Sequence, residues 1–290
     1  MSGSPSRGPV PGPGDPSPVP PVRSRPPVPE REPVPDPALV ARLRASGCVF
    51  AEDEAALLTA AAPDAAALEA MVRRRIAGLP LEHVLGWAEF RGLRVAVGPG
   101  VFVPRRRSEY LVDRALALGR PGALVTDLCC GSGALGLALA TALGAAALHA
   151  ADIDAAAVDC ARRNLAPVGG TVHQGDLYEA LPGALRCRID ILLANVPYVP
   201  SGEVPLLPAE AREHEPLTAL DGGGDGLDVL RRVSGSAREW LAPGGVLLVE
   251  TGARQSARAA RLFTEGGLTA EVHSDAEEQA TVVVGTRPRS

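Results

Sequence analysis

Short apolar runs alternate with amphipathic segments along the second half of the chain. The apolar runs are typical of strands buried in a parallel sheet, and they fall at residues 123–128, 147–152, 171–174, 189–194, 245–250, 268–273 and 280–286. Helical spacing between them predicts helices at residues 134–143, 154–165, 225–240 and 253–264. This alternation predicts an α/β fold in which helices cover both faces of a mostly parallel sheet. Because only residues 274–279 separate the last two runs, we expect those strands to pair antiparallel at one edge of the sheet.

The segments before this alternation differ sharply in pattern. Residues 1–36 hold 13 of the 28 prolines of the chain, and we expect them to form a disordered, proline-rich tail. Residues 37–80 have helical spacing and predict a small helical subdomain of two or three short helices. We expect Asp64 to cap one of these helices, and we expect the helix before it to bury one shared face, formed by Leu57, Leu58 and Ala61.

A linker connects the helical subdomain to the sheet. Within residues 81–106, alternating apolar and polar positions around Gly92 predict a β-hairpin. The predicted main domain covers residues 107–287, and Ser108 with Glu109 opens its first helix.

Composition and charge narrow the classes of function. The net charge of −5 and the pI near 5.6 argue against a general nucleic-acid or membrane-surface binder. There is no apolar run of about 18 residues to span a bilayer and no signal-peptide pattern, so we expect a cytoplasmic protein. The cysteines have neither C-x-x-C spacing nor a histidine at zinc-ligand spacing, so we expect reduced thiols and no metal at Cys48, Cys129, Cys130, Cys160 and Cys187. The five histidines form no cluster in the sequence, and we interpret them as structural or surface residues.

The first strand of the sheet runs into a glycine-containing loop, Asp127-Leu128-Cys129-Cys130-Gly131-Ser132-Gly133. Glycines allow the backbone to pass close to a ligand at the start of a helix. The second strand ends about 20 residues later at Asp152, where an acid suits a ribose diol. This arrangement fits NAD or S-adenosylmethionine. The loop lacks the G-x-G-x-x-G spacing that holds a pyrophosphate, and the sheet is expected to end in an antiparallel pair, so we favour S-adenosylmethionine.

The strand at residues 189–194 is followed by Asn195-Val196-Pro197-Tyr198. Open α/β sheets bind ligands at the carboxyl ends of their strands. An amide acceptor, a proline that stiffens the turn and an aromatic ring are suited to hold a planar amide or amine. We therefore predict an acceptor site at this loop, next to the cofactor loop.

These motifs resemble the HemK/PrmC group of protein glutamine methyltransferases over roughly residues 80–286. The resemblance implies a Rossmann-like class I S-adenosylmethionine-dependent methyltransferase sheet with an antiparallel last strand. It also implies methylation of a glutamine side-chain amide in a protein, a release factor or a ribosomal protein, by an enzyme expected to be a monomer. The motifs that carry it are Phe102-Val103-Pro104-Arg105 with Glu109, the Asp127–Gly133 loop, Asp152, Gly175-Asp176-Leu177-Tyr178, Asn195-Val196-Pro197-Tyr198, Glu215-Pro216-Leu217-Thr218-Ala219-Leu220 and Glu250-Thr251-Gly252.

The resemblance also implies a role for individual residues. Expected cofactor contacts are Asp127, Cys129, Gly131, Gly133, Asp152, Ile153, Asp176, Leu177 and Asn195. Expected substrate contacts are Phe102, Arg105, Asn195, Val196, Pro197 and Tyr198, of which Asn195, Pro197 and Tyr198 are the expected catalytic residues. Two interpretations of Glu109 and Glu250 stay open: a role in the site, or only an ion pair with Arg105.

Two departures from the group leave three further hypotheses open. Val196 stands where the usual Asn-Pro-Pro-Tyr loop has its first proline, and the amino-terminal helical region is shorter than usual. That region helps recognise the substrate in this group, so the first hypothesis is a different protein target. The second is an N6-adenine nucleic-acid methyltransferase, which would need a basic groove and a base-flipping pocket. The third is a non-catalytic S-adenosylmethionine-binding protein.

Overall fold

A seven-stranded sheet lies at the centre of the structure, a computed structural model that describes residues 36–144 and 147–289. Its strands are β3 (Leu124–Leu128), β4 (Ala147–Asp152), β5 (Thr171–Gln174), β6 (Ile189–Ala194), β7 (Leu241–Glu250), β8 (Thr269–Asp275) and β9 (Ala280–Thr286), and β1 and β2 form a separate hairpin described below. The strand order is β5-β4-β3-β6-β7-β9-β8, and β9 pairs antiparallel with both β7 and β8 while the other pairs are parallel. The predicted fold class and the antiparallel edge are confirmed.

Helices cover both faces of this sheet. Alternate side chains of β6 serve the two faces, because Ile191 and Leu193 belong to one apolar cluster and Leu192 and Ala194 to the other. The first cluster contains side chains of α5 (Glu109–Leu118), α6 (Ala134–Leu143) and α7 (Ala155–Leu165), and the second contains side chains of α9 (Asp228–Trp240) and α10 (Ser256–Glu265). A short helix, α8 (Ala209–His214), lies in the long connection between β6 and α9. Within the described residues, no helix combines the length and apolarity needed to span a membrane.

Three predicted element boundaries in the main domain were wrong, each for a local reason. Strand β7 begins at Leu241, and a register shift separates its pairing with Ile189 from its pairing with Ile191. Helix α9 begins at Asp228 because Gly226 has φ +74°, which is not helical. Helix α10 begins at Ser256, after a turn in which the backbone N–H of Gln255 donates to Gly252.

The chain before the sheet contains four helices and a hairpin within residues 36–108. These elements are α1 (Pro37–Ala45), α2 (Ala51–Ala61), α3 (Ala65–Ile76), α4 (Leu81–Leu85), β1 (Trp87–Phe90) and β2 (Leu93–Ala96). The hairpin pairs β1 with β2, and its turn at Arg91 and Gly92 has φ values of +48° and +72°, so the predicted hairpin is confirmed. Val84 of α4 belongs to the same apolar cluster as the first three helices. The predicted tail, apart from Asp36, lies outside the described residues.

The two expectations for the helical region have different outcomes. Asp64 caps α3, since its carboxylate accepts a hydrogen bond of 2.8 Å from the backbone N–H of Ala67. The predicted face of α2 was wrong, because Leu57 and Ala61 are exposed. The helix instead buries Ala51, Ala55 and Leu58, which are spaced by four and three residues and therefore lie on one side.

Adjacent leucines in α2 give a test of this packing. We expect Leu58→Ala to lower the free energy of unfolding by about 2–5 kcal/mol, because Leu58 is fully buried. The matched control is Leu57→Ala, which is expected to change it by only about 0.5 kcal/mol, since this side chain is exposed. Urea unfolding of the two variants measures the difference, and equal losses would contradict the observed face of α2.

Candidate active site

A cavity of about 680 Å³ opens at the carboxyl ends of β3, β4 and β6. These strands are parallel neighbours, and Leu128 of β3 is in register with Ala151 of β4 and Ala194 of β6. The loops that follow the three strands therefore emerge side by side. The volume of the cavity lies in the range of small-molecule sites. The predicted cofactor loop and the predicted acceptor loop both line it.

The carboxylate of Asp152 is fixed at the end of β4. Its two oxygens accept hydrogen bonds from the backbone N–H groups of Gly131, at 2.8 Å, and Asp154, at 2.9 Å. Burial raises the pKa of this carboxyl group above its ordinary value, while these hydrogen bonds lower it. The carboxylate is thus tied to the loop after β3 and lines the cavity, where it can accept hydrogen bonds from a diol.

Apolar side chains flank this acid. Ile153 is 58% exposed although it is a large apolar residue, and it lines the cavity together with Leu177. Asp176, at the same wall, forms an ion pair of 2.6 Å with Arg232. A fixed acid beside apolar walls and an open glycine backbone fits the ribose, the adenine and the methionine portion of S-adenosylmethionine.

Asp127 and Gly133 lie behind the loop and do not line the cavity. Asp127 is fully buried; one carboxylate oxygen accepts a hydrogen bond of 2.9 Å from the backbone N–H of Gly136, and the other has no partner. Gly133 has φ +78°, and a Cβ there would lie 3.1 Å from Leu165. The structure therefore places these two predicted cofactor contacts where they shape the loop.

The ring of Tyr198 is held at its hydroxyl group. The hydroxyl donates to the carboxylate of Glu250 at 2.8 Å and accepts a hydrogen bond of 2.5 Å from Arg107. The buried Glu250 also accepts hydrogen bonds from Arg107 at 2.9 Å and from the hydroxyl of Ser108. Burial, and next the nearby Glu250 carboxylate, raise the pKa of Tyr198 far above its ordinary value, so the phenol stays neutral.

Arg105 does not pair with either predicted acid. Its guanidinium binds the carboxylate of Glu215 at 2.5 Å and lies 4.7 Å from the centre of the Phe102 ring. Glu109 instead accepts a backbone hydrogen bond from Arg91, and Glu250 pairs with Arg107. The interpretation in which Glu109 or Glu250 pairs with Arg105 was therefore wrong.

Sequence reasoning missed both actual partners in these ion pairs. More than a hundred positions separate Arg105 from Glu215 and Arg107 from Glu250, and no local spacing indicates such pairs. The one available signal was that Glu215 opens the most group-specific motif, Glu215–Leu220. Phe102, Arg105 and Val196 all line the cavity with Asn195, so the predicted substrate contacts do converge.

The histidine pair and the two cysteines of the cofactor loop have no features of a nucleophile or of a metal site. His149 and His173 form a stacked pair, with ring nitrogens 3.1 Å apart, on the neighbouring strands β4 and β5. Neither lines the cavity. Burial raises the pKa of both Cys129 and Cys130, which disfavours a thiolate nucleophile. Among the residues that the structure describes, no three acidic, histidine or cysteine side chains are grouped to hold a metal ion.

The buried Asp127 makes stability depend on pH. Burial raises its pKa from 3.8 to about 7, so the folded chain holds a proton that the unfolded chain has released. This term lowers the free energy of unfolding as the pH rises from 3.8 to about 7, and it is constant above that. We expect Asp127→Asn, which keeps the acceptor for Gly136, to remove this dependence. Urea unfolding of both proteins at about pH 5 and about pH 8 tests this expectation. If the free energies of unfolding of the two proteins differ by the same amount at both pH values, the raised pKa of Asp127 is contradicted.

The chain matches known methyltransferases in sequence and in fold. Residues 94–211 match the model of the methyltransferase small domain. The chain is 39% identical over 211 residues to a release factor glutamine methyltransferase of Streptomyces coelicolor, covering 71% of this chain and 75% of that one. It is also 38% identical over 203 residues, covering 68% and 69%, to a 4-amino-L-phenylalanine/4-methylamino-L-phenylalanine methyltransferase of Streptomyces pristinaespiralis.

A solved structure shows the same fold. The methyltransferase from Pyrococcus furiosus superposes with a TM-score of 0.53 at 15% identity, over 68% of this chain and 90% of that one. The family match confirms the prediction of an enzyme that uses S-adenosylmethionine. With more than two thirds of both chains covered at 39% identity, this chain belongs to the release factor glutamine methyltransferase family.

Proposed function

We propose that this enzyme transfers a methyl group from S-adenosylmethionine to the side-chain amide nitrogen of a glutamine in a release factor. The observation that carries the proposal is the position of Asn195-Val196-Pro197-Tyr198 in the same cavity as Asp152 and Ile153. The family membership supports the same acceptor, since the Streptomyces coelicolor relative is a release factor glutamine methyltransferase.

Two groups of the acceptor loop are available to bind a carboxamide. Asn195 and Pro197 both line the cavity, and within the described residues the carbonyl of Pro197 accepts no backbone hydrogen bond. Two acceptors on one loop match the two N–H bonds of a primary amide. The Asn195 side-chain oxygen and the Pro197 carbonyl would therefore hold the substrate nitrogen in one orientation, while the Tyr198 ring packs against the amide plane.

Orientation is the main contribution that these residues can make. An amide nitrogen is a weak nucleophile because its lone pair is delocalised into the carbonyl, and alignment of reacting groups can supply several kcal/mol. The hydrogen bonds from Tyr198 to Glu250 and from Arg107 to Tyr198 keep the ring from rotating away.

The residues on the cofactor side of the cavity would each contact a different part of S-adenosylmethionine. When bound, S-adenosylmethionine supplies a methyl group on a positively charged sulfur. Asp152 would accept hydrogen bonds from its ribose hydroxyls, and Ile153 and Leu177 would contact its adenine. Asp176 lies beside them, and the open backbone at Gly131 leaves space for the methionine portion.

One experiment identifies the acceptor. The protein is incubated with isotope-labelled S-adenosylmethionine and, in parallel reactions, with a release factor, a ribosomal protein fraction, free 4-amino-L-phenylalanine or duplex DNA. We expect label on the release factor, with mass spectrometry placing one added methyl group on a glutamine. Label on the free amine would instead match the Streptomyces pristinaespiralis relative, and label on DNA would support the adenine hypothesis; either alone would contradict the proposal.

Two substitutions should separate acceptor positioning from cofactor binding. We expect Asn195→Ala to lower turnover by on the order of 10²-fold, because the acceptor amide loses alignment. We expect Asp152→Asn to raise the Kd of S-adenosylhomocysteine about 10-fold, because a charge-assisted hydrogen bond is replaced by a neutral one. Calorimetry and single-turnover kinetics measure the two effects, and full turnover in Asn195→Ala would refute the proposed role of that side chain.

A further inference from the structure

The segment Asp221-Gly222-Gly223-Gly224-Asp225-Gly226, here called the glycine loop, lies in contact with the acceptor loop, and its first residue, Asp221, lines the cavity. The sequence of its first four residues, 221–224, indicates a flexible turn. In the structure it is bonded to the chain that follows Tyr198: the backbone N–H of Gly222 donates to Val199 at 2.8 Å, and the N–H of Val199 donates to Leu220 at 3.1 Å. The N–H of Ser201 also donates to Gly223, at 2.9 Å. The two loops therefore form one hydrogen-bonded unit.

Two glycines of this loop occupy positions with no space for a side chain. A Cβ on Gly222 would lie 2.6 Å from the carbonyl oxygen of Pro197, and a Cβ on Gly226 would lie 2.4 Å from the carbonyl oxygen of Tyr198. Contacts this short with backbone atoms force the backbone to move. The carbonyl oxygens of Pro197 and Tyr198 are thus in close contact with the backbone of the glycine loop.

The side chain of Gln255 ties the two loops together. This half-buried residue precedes α10, and its amide nitrogen Nε2 donates to the carbonyl of Tyr198 and to the carbonyl of Asp225, each at 3.0 Å. The Asp225 carboxylate is bound separately by Arg231 and Arg258. Gln255 therefore joins the acceptor loop to the glycine loop through a single side-chain amide, and the Ser201 hydroxyl, which donates to Asp221 at 2.7 Å, joins the following residues to the same loop.

We propose that Gln255 is a positioning residue of the methyl transfer, which with Gly222 and Gly226 sets the direction of the Pro197 carbonyl. This inference rests on the proposed function, in which that carbonyl accepts an N–H of the substrate amide. Gln255 acts through the Tyr198 carbonyl, one peptide bond away. A misplacement of about 1 Å at such a group costs on the order of 10²-fold in rate.

The first variant is Gln255→Glu, which keeps the size of the side chain but places a carboxyl group, in place of the donating amide, next to the carbonyl oxygens of Tyr198 and Asp225. The second is Gln255→Leu, which keeps a similar volume and removes the donor. For both we expect kcat to fall on the order of 10²-fold, with little change in the Kd of S-adenosylhomocysteine. We also expect faster hydrogen exchange at the amides of Val199 and Gly222, and unchanged exchange in the cofactor loop at residues 129–133.

The matched control is Arg258→Ala. Arg258 binds the glycine loop through the Asp225 carboxylate, which Arg231 also holds, so we expect turnover and amide exchange near those of the unmodified protein. Wild-type turnover in both Gln255 variants, or an equal loss in Arg258→Ala, would overturn the proposal. Hydrogen exchange is measured without an acceptor substrate, so it tests the role of Gln255 separately. If the protein methylates no release factor but exchange is faster in the Gln255 variants, the link that Gln255 forms between the loops is supported and only the glutamine acceptor is contradicted.

Discussion

The register of three parallel strands determines where every group of the site lies. Leu128 is in register with both Ala151 and Ala194, so β3, β4 and β6 release their chains at the same level of the sheet. One part of the chemistry lies at the end of each strand or directly after it: an open backbone after β3, the Asp152 carboxylate at the end of β4 and the Asn195 amide after β6. A shift of one residue in β6 would turn its apolar side chains to the opposite faces and would also displace Asn195 from the cavity. Packing of the core and placement of the site are therefore one constraint.

Two buried carboxylates join distant parts of the chain around this edge. Glu215 binds the segment after the hairpin through Arg105 and the backbone of Val103, and Glu250 binds Arg107 and Ser108 at the start of α5. Buried charges are tolerated only when they are paired and hydrogen-bonded. Both acids meet that condition, and both connect the chain that precedes β3 to residues that follow β6.

Most of the fold was predictable from the sequence because the short apolar runs alternate regularly with amphipathic segments. All seven strands of the main sheet and the antiparallel edge were predicted, since period and length separate buried strands from helices. The errors occur where local geometry overrides the pattern, as at the bulge before Val246 and at Gly226. The predicted buried face of α2 was wrong because an alanine-rich helix has several faces of similar apolarity. The site residues were predicted from motifs, but the partners of Arg105 and Glu250 come from contacts across more than a hundred residues, which spacing does not encode.

Val196 gives the acceptor loop a different kind of support from a second proline. Its side chain is 2% exposed and belongs to the apolar cluster that includes Leu227, Leu230 and Val249. A proline restricts a turn through its own ring, independently of its surroundings, whereas this valine restricts it by being embedded in the interior. The loop is consequently held rigid by the packing of Val196 in the core of the domain. On heating, this rigidity should be lost when the core unfolds.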